Sequence, residues 1–153
     1  MNTSNPTARR IRIPKLRPDF YASLGALGAA GAAGLDPILV ELIRIRASQL
    51  NNCAFCLDIH VNDARSAGES QQRLDVLSAW HEAGALFSEP EQAALALTEA
   101  LTLLPAAGVP DDVYQRAAAA FSEAELAGVM ATAITINAWN RIGVGTRLSP
   151  AKR

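Results

Sequence analysis

Residues 41–60 read ELIRIRASQLNNCAFCLDIH and contain both cysteines of the chain, one of its two histidines and a glutamate within an apolar run. Before Asn51-Asn52 the apolar residues recur at helical spacing, whereas Arg44 can face outward. The two asparagines interrupt this pattern just before Cys53. The stretch therefore predicts two consecutive helices, with a CxxC sequence at the start of the second, and any chemistry of the protein is expected here.

Helix start signals flank this stretch on both sides. Asp36-Pro37 combines an N-cap acid with a proline at the first helical position. Ser88 and Ser122 each open a capping box with a glutamate three residues later. Together with helical periodicity, these signals predict helices over residues 19–33, 37–50, 53–66, 71–84, 88–104, 110–121 and 122–144. Strand-like alternation is essentially absent, so the expected fold is an all-α bundle of about six or seven helices.

Length and composition favour one helical domain. The chain has 153 residues, which is enough to bury a core without disulfide staples, and only 5% of them are aromatic. Many of the apolar residues are alanines, which suits close-packed helices. We predict a single helical domain over residues 19–153 and an extended N-terminal arm over residues 1–18. The prolines and cations of this arm fit either a solvated tail or a segment that wraps a partner subunit.

Charge and hydropathy argue against several classes of partner. The 14 basic and 15 acidic residues nearly balance, so no overall field favours nucleic acid or a membrane surface. The N-terminus lacks the apolar core of a secretory signal, and the most apolar later stretch, residues 126–136, is too short to span a bilayer. We therefore expect a cytoplasmic protein, in which two cysteines indicate a redox pair or metal ligands.

The two cysteines and a histidine share one face of the second predicted helix. At about 100° per residue, Cys53, Cys56 and His60 fall close together, because they are separated by three and then four positions. The thiols can then bond to each other, and Cys56 can meet the imidazole. A sulfenic acid on one sulfur can condense with the other to a disulfide, which an external reductant restores. The pair is therefore suited to repeated turnover.

Glu41 is the acidic residue of the preceding helix, and it borders an apolar stripe. A carboxylate in that position is costly unless it finds a partner. If the two helices pack as a hairpin, His60 is the obvious candidate, and Glu41 would orient or charge His60 while His60 handles the proton of Cys56. The alternative is a glutamate that reaches water at the helix edge.

Other interpretations of the cysteines remain open at this point. Two buried cysteines can act as small hydrophobes, and Cys53, Cys56, His60 and His81 form a possible tetrahedral zinc set. A structural metal is hardly required in a core of this size, so we predict no metal and no cofactor. Covalent haem attachment is excluded, because Leu57 rather than histidine follows Cys56. Helical flanks argue against a thioredoxin fold.

The pattern of Glu41, eleven residues, Cys53-Ala54-Phe55-Cys56, three residues and His60 resembles the motif of the AhpD-like alkylhydroperoxidase / carboxymuconolactone decarboxylase family. The similarity covers most of the chain beyond the arm and continues through LDIHVNDARSAGES, QRLDVLSAW, LFSEPEQAALALTEALT and INAWNR. The resemblance implies an AhpD-like helical bundle that assembles as dimers, trimers or hexamers.

The same resemblance implies a thiol-dependent peroxidase that uses neither haem nor metal. By analogy Cys56 is the peroxidatic cysteine, Cys53 the resolving one, and His60 with Glu41 the proton relay. The expected partners are a hydroperoxide substrate, a thiol or dithiol electron donor of unknown identity, and further copies of the chain. The alternatives are a general disulfide oxidoreductase, a redox-sensing module and, less favoured because it should not need a CxxC pair, a decarboxylase. Phe55 lies where some peroxidases of the family carry a histidine, so a second proton carrier is missing.

Overall fold

The computed structural model describes residues 10–152, so the first half of the predicted arm lies outside the described residues. Within that range the chain is helical and contains no strand, which confirms the all-α prediction. The helices are α1 Ile13–Leu16, α2 Pro18–Ala32, α3 Pro37–Leu50, α4 Ala54–Ser66, α5 Gln71–Val76, α6 Glu89–Leu103, α7 Asp111–Ala120 and α8 Glu123–Thr146. Seven of the eight exceed one helical turn, in agreement with the predicted number.

The predicted caps begin their helices as expected. Asp36 accepts a hydrogen bond from the backbone N–H of Leu39 at 3.0 Å, with Pro37 at the first helical position. Ser88 and Ser122 both form complete capping boxes at the starts of α6 and α8. These local signals are sufficient because each satisfies backbone donors that the first turn leaves without a helical partner.

The predicted helix over residues 71–84 is wrong in its second half. Helix α5 ends at Val76, and the chain continues as two 3₁₀ segments, Leu77–Glu82 and Gly84–Leu86, with non-helical backbone at Ala79. In this conformation Trp80 is buried, and its indole nitrogen donates a hydrogen bond to Glu99 of α6 at 2.8 Å. A buried indole N–H needs a hydrogen-bond acceptor. The 3₁₀ segment places Trp80 where it can donate to Glu99, in a region where a continued α-helix was expected.

The described part of the arm, residues 10–17, is not extended throughout, because Ile13–Leu16 forms a single helical turn. Arg10 lies against the end of α8, where its guanidinium donates to the carbonyl of Gly145 at 2.7 Å. Ile11 and Leu16 are exposed. The division of the chain into an arm and a domain at residue 18 stays a prediction.

Helix α3 is the centre of the bundle, and it packs against α4, α6 and α8. Leu42, Ile43 and Ala47 are fully buried on it. One core cluster joins α3 to α6, α7 and α8, and another joins it to α4, α5 and the 3₁₀ segments. Helix α2 packs on α8 through Gly31, where an added Cβ would lie 2.9 Å from that of Ala131. None of the helices in residues 10–152 has the length and hydropathy needed to cross a bilayer.

Candidate active site

Helices α3 and α4 pack against each other as a hairpin, joined by a tight turn, which is the arrangement that a pairing of Glu41 with His60 requires. Asn51 caps α3, and Asn52 adopts a left-handed conformation (φ 53°), which asparagine tolerates better than most residues. Cys53 is the N-cap of α4 rather than its first residue, and its sulfur accepts from the backbone N–H of Cys56 at 3.4 Å. The backbone N–H of Cys53 donates to the carbonyl of Ser48 at 3.0 Å. The turn thereby holds the CxxC sequence against the end of α3.

Cys53 and Cys56 form a disulfide, and both side chains are buried. Cys56, but not Cys53, lines a cavity of about 370 Å³ between α2, α4 and α8. The other lining residues are mainly apolar or aromatic: Tyr21, Gly25, Gly28, Ala29, Arg44, Phe55, Ile59, His60, Thr132, Thr135, Ile136, Trp139, Ile142 and Leu148. The two sulfurs are therefore not equivalent, because a molecule in the cavity meets Cys56.

Glu41 lies behind His60 and does not reach open water. It is 7% exposed, and its Oε2 is 2.8 Å from Nδ1 of His60. Its Oε1 accepts a hydrogen bond from Nη1 of Arg44 at 2.7 Å. Burial raises the pKa of Glu41, but the hydrogen bond from His60 and the charges of His60 and Arg44 outweigh it, so the pKa lies below its usual value. An ionised Glu41 requires the hydrogen of His60 on Nδ1, which leaves Nε2 to exchange protons.

Arg44 is a site residue that the sequence analysis missed. The helical spacing allowed it to face outward, whereas it lines the cavity together with Cys56 and pairs with Glu41. The signal was present in the sequence, because positions 41 and 44 are three residues apart and so are neighbours on one helix face. The guanidinium offsets the negative charge of Glu41, so the buried carboxylate is paired on both oxygens.

A network of buried amides ties the turn before Cys53 to α8. The side-chain nitrogen of Asn51 donates to the side-chain oxygens of Asn137 and Asn140, each at 2.9 Å. Asn140 is 1% exposed and donates in turn to the hydroxyl of Ser48 at 2.9 Å. Breaking such a network leaves buried polar groups unpaired, which costs about 1–3 kcal/mol for each group. These asparagines hold the cysteine turn in place, a role that the sequence did not reveal.

His81 contributes to a different cluster from the cysteines. Its ring stacks on Trp80 with centroids 3.6 Å apart, and its Nε2 is 3.2 Å from Oε2 of Glu99. The fourth residue of the alternative zinc set is therefore not brought to the disulfide.

Among residues 10–152, Glu41, His60 and Asp63 do offer three ligand atoms within 4.8 Å of one another. Two of them already bond to each other, however, and the guanidinium of Arg44 lies 2.7 Å from Glu41. A cation bound there would be repelled by that guanidinium, so we assign no metal to the group.

Known proteins resemble this chain over most of its length. The model of the carboxymuconolactone decarboxylase family matches residues 18–100, more than half of the chain. Uncharacterised YdfG of Bacillus subtilis (strain 168) is 45% identical over 104 residues, which are 68% of this chain and 70% of YdfG. Uncharacterised YnjA of Escherichia coli (strain K12) is 33% identical over 87 residues, which are 57% of this chain and 47% of YnjA.

A solved structure extends the similarity to the whole bundle. The crystal structure of an Agrobacterium tumefaciens protein of unknown function, provisionally assigned to antioxidant defence as AhpD, superimposes with a TM-score of 0.87. The two chains are 36% identical, and the match covers 94% of this chain and 99% of the other. The likeness thus includes α8, which the family model does not reach.

Proposed function

The chain belongs to the AhpD-like / carboxymuconolactone decarboxylase family, and we propose that within it the protein is a thiol-dependent peroxidase that reduces organic hydroperoxides. The observation that carries the proposal is the shared cavity of Cys56 and His60, with Glu41 bonded to the far side of the imidazole. Nucleophilic catalysis by cysteine needs a thiolate, a base and a group that orients the base. Cys56, His60 and Glu41 are placed to fill these three roles in turn.

In the proposed cycle the thiolate of Cys56 attacks the distal oxygen of the hydroperoxide. The O–O bond breaks, Cys56 becomes a sulfenic acid, and the alkoxide leaves as an alcohol with a proton from His60. The thiol of Cys53 then attacks the sulfur of Cys56, and water leaves as the disulfide forms. An external dithiol returns two electrons and two protons to the pair and is itself oxidised to a disulfide. The disulfide of the present structure corresponds to the oxidised end of this cycle.

The assignment of Cys56 as peroxidatic rests on access. Cys56 lines the cavity and Cys53 does not, although Cys53 lies nearer the positive end of the α4 dipole. A substrate must reach the attacking sulfur. Access to the cavity therefore favours Cys56 as the peroxidatic cysteine, although the helix dipole alone would have favoured Cys53. This supports the order of roles that the family resemblance implied.

The lining of the cavity supports an organic substrate. Tyr21, Ile59 and Trp139 contribute apolar and aromatic surface, and Phe55 adds a further ring beside Cys56. Such walls favour an alkyl or aryl group over hydrogen peroxide, which has no apolar surface to bury.

The test is a peroxide consumption assay with several dithiol donors, in which the parent is compared with Cys56→Ser and Cys53→Ser. We expect Cys56→Ser to lose turnover entirely. Cys53→Ser should react once per molecule when no donor is present and should turn over more slowly than the parent when a dithiol is added, because its sulfenic acid has no internal partner and must be reduced from outside. Full thiol-dependent turnover in Cys56→Ser would overturn the proposal.

A redox-sensing module or general disulfide oxidoreductase is the second candidate. It is favoured by Phe55, which leaves the CxxC sequence without the second proton carrier found in some peroxidases of the family. Saturable turnover with a recycling reductant supports the peroxidase. Stoichiometric oxidation that alters association, without turnover, supports the sensor.

We also propose a homo-oligomer located in the cytoplasm. Phe20 and Leu27 of α2, Ile134 of α8, and Ile11 and Leu16 of the arm expose large apolar side chains. A second copy of the chain would remove this surface from water. Light scattering should give a mass above that of one chain, and a monomer would contradict the proposal.

A further inference from the structure

Gly143 of α8 lies directly against the redox pair. A Cβ added at this position would be 2.7 Å from the sulfur of Cys53 and 3.5 Å from that of Cys56. Real Cβ atoms essentially never approach another heavy atom to less than 3.0 Å. The backbone of α8 can therefore touch the disulfide only because residue 143 has no side chain.

Gly145 provides a natural contrast two residues further along the same helix. A Cβ on Gly145 would have no heavy atom within 4 Å, whereas Gly143 is buried against sulfur. Glycine within a helix is less favourable than alanine, and this cost applies at both positions. The contact with the cysteines is thus particular to Gly143 and is not a general property of the end of α8.

We propose that Gly143 is a positioning residue that favours the disulfide over the dithiol in this pair. In the disulfide the S–S bond fixes the sulfur of Cys53 against α8. In the dithiol the same sulfur is free to rotate to another staggered position and leave the contact. A Cβ at residue 143 would therefore penalise the disulfide more than the dithiol. The space at Gly143 also lets the sulfur of Cys53 lie on α8 while Cys56 lines the cavity.

The inference rests on the redox pair of the proposed function, but it does not depend on peroxide as the oxidant. Gly143, which would set part of the redox equilibrium, lies 87 positions after Cys56. It is outside the CxxC motif and outside the residues that the family model matches. Gly143 would therefore help to determine how readily the external dithiol reduces the Cys53–Cys56 disulfide.

The test compares Gly143→Ala with the matched control Gly145→Ala in the full chain. Each protein is equilibrated with mixtures of reduced and oxidised dithiothreitol, free thiols are alkylated, and the fraction of dithiol is read by mass. In this exchange the protein disulfide takes two electrons and two protons from the reduced reagent, which closes to its own disulfide. We expect the equilibrium constant for the protein disulfide to fall about tenfold in Gly143→Ala, which is a rise of about 30 mV in midpoint potential. Gly145→Ala should match the parent.

A Gly143→Ala potential equal to that of Gly145→Ala, or a more negative one, would overturn the inference. If Gly143→Ala does not fold, thermal unfolding in a Cys53→Ala background replaces the titration. Removal of the Cys53 sulfur should then make Gly143→Ala as well tolerated as Gly145→Ala. Failure of the double variant to fold while Cys53→Ala folds would show that the Cβ meets something other than this sulfur, and would equally overturn the inference. A protein that consumes no peroxide but shows the shifted potential would refute the peroxidase alone.

Discussion

Two glutamate–histidine pairs lie on either side of α3, and they have almost the same parts. Glu41 bonds to His60 and Arg44, while Glu99 bonds to His81 and Arg46. The side chain of His60 is 16% exposed and lines a cavity with Cys56, whereas that of His81 is 58% exposed and stacks on Trp80. The residue types alone therefore do not place an imidazole beside a cysteine. What differs is that the imidazole of the first pair shares an apolar cavity with a cysteine.

Replacement of the two histidines should give the greatest difference in peroxide turnover between the two pairs. We expect His60→Ala to lower peroxide turnover by about 10²- to 10⁴-fold, the usual contribution of a general acid–base. His81→Ala should leave turnover unchanged, because His81 bonds to Glu99 and does not line the cavity. Steady-state assays of both variants with the same dithiol donor measure the contrast. Turnover in His60→Ala that matches turnover in His81→Ala would show that His60 has no particular role at Cys56.

Replacement of the two glutamates should lower the free energy of unfolding in both cases but peroxide turnover in only one. Glu41 accepts from two side chains and Glu99 from three, so Glu41→Gln and Glu99→Gln should each lower the free energy of unfolding by about 1–3 kcal/mol. Turnover should fall by about 10- to 100-fold in Glu41→Gln alone, because a neutral amide no longer holds the hydrogen of His60 on Nδ1. Urea unfolding and peroxide assays test the two effects, and Glu99→Gln is the control. Parent-like turnover in Glu41→Gln would remove Glu41 from the relay.

The two carboxylates should behave alike as acid destabilises the fold. Burial raises the pKa of Glu41 and of Glu99, but their hydrogen bonds and cationic neighbours outweigh it, so each pKa lies below its usual value. Between the folded pKa and the unfolded value of about 4.3, the unfolded chain binds more protons, and the free energy of unfolding therefore rises with pH. The stabilising contribution of each carboxylate to the folded protein is fully present above the pKa of that group in the unfolded chain. It is lost as pH falls through the lower pKa of the same group in the folded protein.

Urea unfolding at a series of pH values from about 3 to 7 measures this dependence. The parent should lose stability on acidification more steeply than Glu41→Gln or Glu99→Gln, since each variant lacks one of the titrating groups. A parent-like slope in either variant would show that its carboxylate is not ionised preferentially in the folded protein.

A proton carrier added beside His60 and Glu41 should change turnover only slightly. Phe55→His introduces an imidazole between the cysteines, at the edge of the cavity. We expect a modest rise in turnover, smaller than the loss in His60→Ala, and a weaker dependence on His60. Assays of Phe55→His and of Phe55→His/His60→Ala measure this. A fall in turnover instead would indicate that the ring of Phe55 is needed to bind the organic group.

Sequence reasoning succeeded where the determining interactions are local. The N-cap residues Asp36, Ser88 and Ser122 satisfy donors within three residues of themselves, so their helices begin as predicted. It failed at Trp80, where the chain forms a 3₁₀ segment instead of the expected α-helix. In that segment the buried indole donates a hydrogen bond to Glu99 of another helix, which sequence spacing cannot predict. Arg44 was described only as able to face outward, although its spacing from Glu41 was visible in the sequence.

The helical fold and the grouping of Cys53, Cys56 and His60 follow from spacing along the chain, because side chains three and four positions apart at the start of a helix are neighbours. The position of Cys56 in the cavity wall and the contact of Gly143 with the disulfide could not be predicted from that spacing. Those contacts join α4 to α8 across more than 80 residues of sequence. They depend on how closely two helices pack, and the packing is set by the burial of many side chains together rather than by any spacing along the chain.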